Sequence, residues 1–291
     1  MDLKKLSNPI WKRSDNLRDP SVWKSADGYH LFYSRYSNND WTKPENWSIA
    51  HVITKDFVTF EEDRDISAKG FASPGDVIRW KGKYILPYQS YPEVPTMLCY
   101  STSDDLENWS KPVFFLEEAV HLPWNQANRV IDPTFVTEGE RLHCFFVGTD
   151  RVHYASATNL VGHAYADDPE LKGWTITTVD SPLIGTCEDG PDGAENVTVF
   201  RNNNEWVMIY SEGLKSQHLA YITSKDLIHW GNKGKITIPE QSWMSTRYGA
   251  PYVWKEDEYW VMILMGEDGN SHTTFGLLTS KDGIIWEALS E

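Results

Sequence analysis

Four acids recur where a strand of the chain is about to begin: Asp19 in Arg18-Asp19-Pro20, Asp76 in Gly75-Asp76-Val77, Asp132 in Ile131-Asp132-Pro133 and Glu195 in Ala194-Glu195-Asn196. Each lies four residues before a strand end, at Trp23, Trp80, Val136 and Val199. A fifth position in the same register is Ala250, four before Trp254, and the successive spacings are 57, 56, 63 and 55. Carboxyl groups brought together can divide a hydrolysis between them. One activates water or attacks carbon, and another donates a proton, because like charges held close raise at least one pKa toward neutrality. Asp-Pro pairs also start strands for conformational reasons alone. A purely architectural device would be copied into every repeat, yet Ala250-Pro251 keeps the proline and drops the acid. Unequal positions point to an asymmetric site.

The elements that must position these acids follow from an internal repeat. Thr102-Ser103-Asp104-Asp105-Leu106-Glu107-Asn108-Trp109 returns as Thr223-Ser224-Lys225-Asp226-Leu227-Ile228-His229-Trp230 and again as Thr279-Ser280-Lys281-Asp282-Gly283-Ile284-Ile285-Trp286. Thr54-Lys55-Asp56-Phe57 opens a shorter copy, and a degenerate one begins at Ser156-Ala157-Thr158 and regains its tryptophan at Trp174. The pattern reads as a strand end, an Asp turn and a further strand. Upstream of each copy is a short run such as Tyr29-His30-Leu31-Phe32-Tyr33 or Trp206-Val207-Met208-Ile209-Tyr210, preceded by a turn and another strand. Four antiparallel strands per unit and five units predict an all-β, five-bladed β-propeller, a single catalytic domain over residues 1–291 with almost no helix. First strands line the channel of a propeller, so equivalent residues on them open onto one mouth.

Composition narrows the ligand. Lys+Arg 27 against Asp+Glu 42 leaves a net charge of -15, which repels nucleic acid and anionic lipid and favours a neutral substrate. Aromatics make up 13% of the chain, with Trp 14 and Tyr 14, residues suited to pleated surfaces and to sugar faces. Trp41, Tyr91, Trp124 and Trp243 lie in connecting stretches where they would line a cleft. Cys99, Cys144 and Cys187 form no metal or redox motif, and the nine histidines show no zinc spacing. The loop Glu188-Asp189-Gly190-Pro191-Asp192-Gly193 lacks the ligand register of a calcium loop and reads as a turn-rich rim. The sequence begins without a secretory h-region, so a cytoplasmic location is expected of the chain as it stands, with secretion after removal of a signal left open. No transmembrane run is present, and neither a membrane nor a nucleic-acid partner is expected.

Taken together, Arg18-Asp19-Pro20, Ala72-Ser73-Pro74-Gly75-Asp76-Val77, Ile131-Asp132-Pro133 and the glutamate opening the fourth unit resemble glycoside hydrolase family 43, with the related family 32 close behind. The resemblance implies that Asp19 is a general base, Glu195 a general acid and Asp132 the residue that orients and tunes the acid. It further implies an inverting glycosidase acting on plant-type glycans, arabinose or xylose units foremost. Asp76, Arg247, Phe71 and Trp124 are the expected substrate-binding residues, Phe71 as an apolar wall and Arg247 also as the cation that holds Asp132 ionised. No cofactor is required. Some relatives hold calcium in the channel through a histidine of the fifth blade, where this chain has Arg247 and Tyr248, so the metal question stays open. Competing readings are a retaining β-fructosidase on the same scaffold, a carbohydrate-binding propeller without catalysis and, more remotely, a glycan phosphorylase. A lectin would repeat near-identical residues in every blade. The run Asp, Asp, Asp, Glu, Ala does not.

Overall fold

A computed structural model of the protein describes residues 1–38, 40–150, 158–184, 193–213 and 216–291. Five sheets follow one another along the chain, each ordered from the channel outward. Blade one comprises Asn16–Lys24, Tyr29–Tyr36, Trp47–Thr54 and Phe60–Asp65. In blade two the first strand is split into Phe71–Ala72 and Ile78–Trp80, followed by Lys83–Ser90, Leu98–Ser103 and Val113–Phe114. Blade three is Ile131–Glu138, Arg141–Asp150, Thr158–Ala166 and Thr175–Ile176, and blade four is Ala194–Asn202, Glu205–Glu212, His218–Ser224 and Trp230–Ile236. Arg247–Lys255, Trp260–Glu267, Thr273–Ser280 and Glu287–Ala288 make blade five. All pairings within the blades are antiparallel, and the helical content of the described residues is four short 3-10 turns. The expected five-bladed propeller is therefore the fold.

Second strands such as Tyr29–Tyr36 are buried on both faces, because each sheet is sandwiched between two neighbours. Outer strands such as Phe60–Asp65 are largely exposed and charged. The repeated turn is a hydrogen-bond device. In blade four, Ser224 Oγ accepts from the Leu227 N–H (3.0 Å), Asp226 Oδ1 accepts from the N–H groups of Ile228 and His229 (3.0 and 2.8 Å), and Trp230 Nε1 donates to the Leu227 carbonyl (3.0 Å). Leu106, Leu171 and Leu227 adopt positive φ at the tip, where blade five has Gly283. The tryptophan thus closes its own turn while its ring packs between blades. The start of the degenerate copy, Ser156-Ala157, lies outside the described residues, as do Cys187 and residues 188–192 of the proposed rim loop.

Among the described residues the ring is closed by hydrogen bonds and ring packing. The segment before blade one runs along blade five: the Ile10 N–H donates to the Phe275 carbonyl (3.0 Å), and Asn8 both donates to the Leu277 carbonyl (3.1 Å) and accepts from the Leu277 N–H (2.8 Å). Trp11 stacks on Phe60 at 4.4 Å and meets Tyr33 edge-on.

Candidate active site

Every first strand carries a β-bulge near the channel mouth. In blade one, Arg18 pairs with Ser34 and Ser21 with Phe32, which leaves Asp19 and Pro20 together opposite Tyr33. The same two-against-one step occurs after Ile131, Glu195 and Gly249. The first bulged residue has positive φ each time: Asp19 (50°), Asp132 (52°), Asn196 (49°) and Ala250 (49°), with Ser73 (51°) in blade two. Such a bulge re-aims one side chain out of the pleat.

This geometry corrects the register drawn from strand ends. Equivalent positions are Asp19, Ser73, Asp132, Asn196 and Ala250, so Glu195 stands one residue before the bulge and Asp76 three after it. Blade two has one residue more in its bulge than the others, since Ala72 pairs with Gln89 and Ile78 with Ile85. The extra residue is accommodated by Gly75, where a Cβ would lie 1.7 Å from the Pro133 carbonyl oxygen of the next blade. Asp76 consequently sits one layer deeper in the channel, beside Thr134 and Val197, and its charge bears on Tyr252. Burial raises its pKa well above the ordinary carboxylate value. Asp76 is a channel acid that shares a deeper cavity with Asp19 and Asp132 and does not line the cavity above, where Glu195 joins them.

That cavity, about 100 Å³, is lined by Asp19, Asp132 and Glu195 together. Ser34 Oγ donates to Asp19 Oδ2 (2.7 Å), as does Ser73 Oγ (3.3 Å). Both oxygens of Glu195 are held by amides: Asn159 Nδ2 donates to Oε2 (2.6 Å) and Gln217 Nε2 to Oε1 (2.8 Å), while Thr149 Oγ1 donates to Asn159 Oδ1 (2.8 Å) and fixes that amide's direction. Second-strand side chains also tie successive blades together at this level. Ser34 Oγ accepts from the Ser73 N–H (2.7 Å), Gln89 Oε1 from the Asp132 N–H (2.5 Å) and Ser211 Oγ from the Ala250 N–H (2.8 Å).

Burial, with the charges of Glu195 and Asp19, pushes Asp132 up to about 8. Burial also raises Asp19, against the pull of Arg18 and Ser34. Near neutral pH the site therefore keeps a proton among its carboxylates. The arginine that acts on Asp132 is Arg129, on the connection before blade three. Arg247, expected in that role, instead ion-pairs with Glu267 (2.7 Å) while still lining the cavity. Trp124 corrects a second expectation. It is buried beneath Gly148 and Gly162, stacks on Phe146 and donates from Nε1 to the Thr178 carbonyl (2.7 Å), so it is core and no sugar platform. Phe71 packs edge-on against Tyr88 at 5.4 Å and is absent from the cavity lining; Trp243 is also core. Tyr91 does line the cavity, with Trp47 behind it at 4.8 Å. Arg129, Asn159, Gln217 and Trp47 carry no motif, and only the spatial arrangement brings them to the acids. Among the described residues no group of three or more His, Cys, Asp or Glu is arranged to hold a metal, and no helix is long and apolar enough to cross a membrane.

A family model described as the glycosyl hydrolases family 32 N-terminal domain matches residues 67–247. Among solved structures, a thermostable family-43 glycoside hydrolase superposes with a TM-score of 0.69 at 14% identity, covering 99% of this chain and 96% of that one. A Cellvibrio cellulosa alpha-L-arabinanase complexed with arabinohexaose gives 0.67 at 13% identity over 91% of each chain. The catalytic domain of a Coprinopsis cinerea GH62 alpha-L-arabinofuranosidase gives 0.68 at 15% identity over 94% and 95%. At these identities the likeness is one of fold.

Proposed function

Since the chain belongs to the family described as the glycosyl hydrolases family 32 N-terminal domain, we propose that its carboxylate cavity cleaves glycosidic bonds of plant-type oligosaccharides. The observation that carries this reading is the convergence of Asp19, Asp132 and Glu195 on one small cavity that retains a proton near neutral pH. Asp19, oriented by Ser34 and Ser73 and drawn toward its charged form by Arg18, is the base that activates water at the anomeric carbon. Glu195, fixed by Asn159 and Gln217, gives a proton to the leaving oxygen. Asp132 supplies the like charge or the proton that tunes Glu195. Water attack of this kind inverts the anomeric configuration. Arabinose units are the favoured substrate, supported by the arabinanase and the arabinofuranosidase among the structural neighbours. The family match itself supports the alternative, a retaining β-fructosidase in which Asp19 attacks carbon directly.

A specific observation favours a second assignment of the proton. Asp132 is the acid raised to about 8, while both oxygens of Glu195 already accept from amides, so Asp132 would be the proton donor. Kinetics with good and poor leaving groups decide between them. The residue that gives the proton should, as Glu195→Gln or Asp132→Asn, lose about 10²–10⁴-fold on a natural glycoside and recover most of that rate on an activated aryl glycoside. Asp19→Asn should lose activity on both. Full activity of Asp19→Asn on a confirmed substrate would remove the site assignment, and NMR of the first-formed anomer separates inversion from retention.

A further inference from the structure

Resting on the glycosidase reading, we infer that the chain has a second sugar subsite, formed between blades one and five around Trp41, for the unit next to the one cleaved. A cavity of about 340 Å³ lies there beside the carboxylate cavity, and Arg18 and Arg247 line both. The inner cavity, at about 100 Å³, is the smaller of the two. A longer substrate must extend out of it, and the outer cavity opens across the two shared arginines.

The outer cavity has the two kinds of wall a sugar ring needs. On blade one, the Trp41 indole is 59% exposed, a large apolar face the core does not use. Its loop is tied down locally. Asp40 Oδ1 accepts from the Thr42 N–H (3.1 Å), the Asp40 carbonyl accepts from Asn46 Nδ2 (2.8 Å), and the Trp41 carbonyl accepts from Trp47 Nε1 (3.0 Å). The indole is therefore presented from a pinned backbone, which lowers the cost of ordering it around a ligand. Across from it, blade five supplies Asn270, Ser271 and Thr273, small polar groups suited to hydroxyls. An apolar face opposite a polar rim matches the amphipathic faces of a neutral sugar ring.

The experiment is calorimetric binding in a Glu195→Gln background, which should be catalytically silent. The probes are L-arabinose, α-1,5-arabinobiose and arabinotriose, with fructose, sucrose and 1-kestose as the second series. Trp41→Ala should weaken the disaccharide and trisaccharide of whichever series binds by about 5–10-fold, leave the monosaccharide within twofold, and be largely restored by Trp41→Phe. Unchanged disaccharide affinity, equal loss for the monosaccharide, or no binding of any probe with Trp41 intact would each overturn the subsite. Trp41-dependent binding in a protein whose wild type releases no reducing sugar would instead overturn the glycosidase reading and leave a binding surface.

Discussion

Asp132 is nearly buried among groups that disfavour its charge, and this has a stability consequence separate from catalysis. Its folded pKa, about 8, lies above the unfolded value near 3.9, so the folded chain binds more protons between those limits. Stability linked to this group is complete at low pH and is lost as pH rises toward 8. Asp132→Asn should therefore be more stable than the wild type at pH 8, by up to about 5 kcal/mol, with the gain vanishing near pH 4. Urea denaturation at both pH values measures it, and the same variant should have lost turnover, the usual trade at a strained site. An equal effect at both pH values would mean that the carboxylate is not held at this cost. At this scale the sequence was informative about acids and much less so about their partners. Asp19 and Asp132 announce themselves through Asp-Pro. Arg129, Asn159 and Gln217 do not, because each comes from a connection or a strand whose only signal is its place in space. Trp124 misleads for the converse reason: a tryptophan in a connecting stretch reads as accessible, and only Gly148 and Gly162 reveal the slot that buries it.

Blades one and three share an element that the other blades lack. His30 and His51 lie ring to ring with Nδ1 and Nε2 2.9 Å apart, and His143 and His163 repeat this at 2.9 Å. Phe32 stacks on His51 and Phe145 lies tilted against His163, and Trp109 and Trp230 of the following blades meet the two phenyl rings edge-on. Burial lowers all four histidines, His51 and His163 to about 3 and His143 to about 4. Because their unfolded value is about 6.5, the unfolded chain takes up more protons as pH falls below it, and stability declines from there toward pH 4. In blade five the positions of His143 and His163 are Val261 and Leu277. The double variant His143→Val, His163→Leu should flatten the acid limb, losing about 2 kcal/mol less between pH 6.5 and 4 than the wild type in a urea series. A parallel decline would assign acid sensitivity elsewhere. Blade count and strand order were legible because the Asp turn repeats in register with tryptophan. The bulge was not, since an inserted residue leaves no mark on hydrophobic periodicity, and for that reason counting back from Trp80 and Val199 missed the true register by three residues and by one.

At the scale of the whole molecule, the seam between blades one and five holds the ring shut. Asn8 is buried there, and its amide serves the Leu277 N–H and carbonyl as well as Gln241 Oε1 (3.1 Å). Asn8→Ala should strand these groups and cost about 2–3 kcal/mol, read as a lower urea midpoint, with far less effect from an exposed control such as Lys4→Ala. A midpoint unchanged in Asn8→Ala would place the closure in the contacts of Ile10 and Trp11 with Phe275 and Thr274. The time taken by synthesis in turn delays the closing of this seam. Thr274 Oγ1 reaches back 263 residues to donate to the Trp11 carbonyl. A ribosome adding about 5–20 residues per second takes roughly 13–50 s to cover that interval. Throughout it Leu6 and Trp11 have no blade five to receive them. The apolar segment ahead of blade one is thus housed only once blade five is made, and the nascent chain stays adhesive there until those strands emerge.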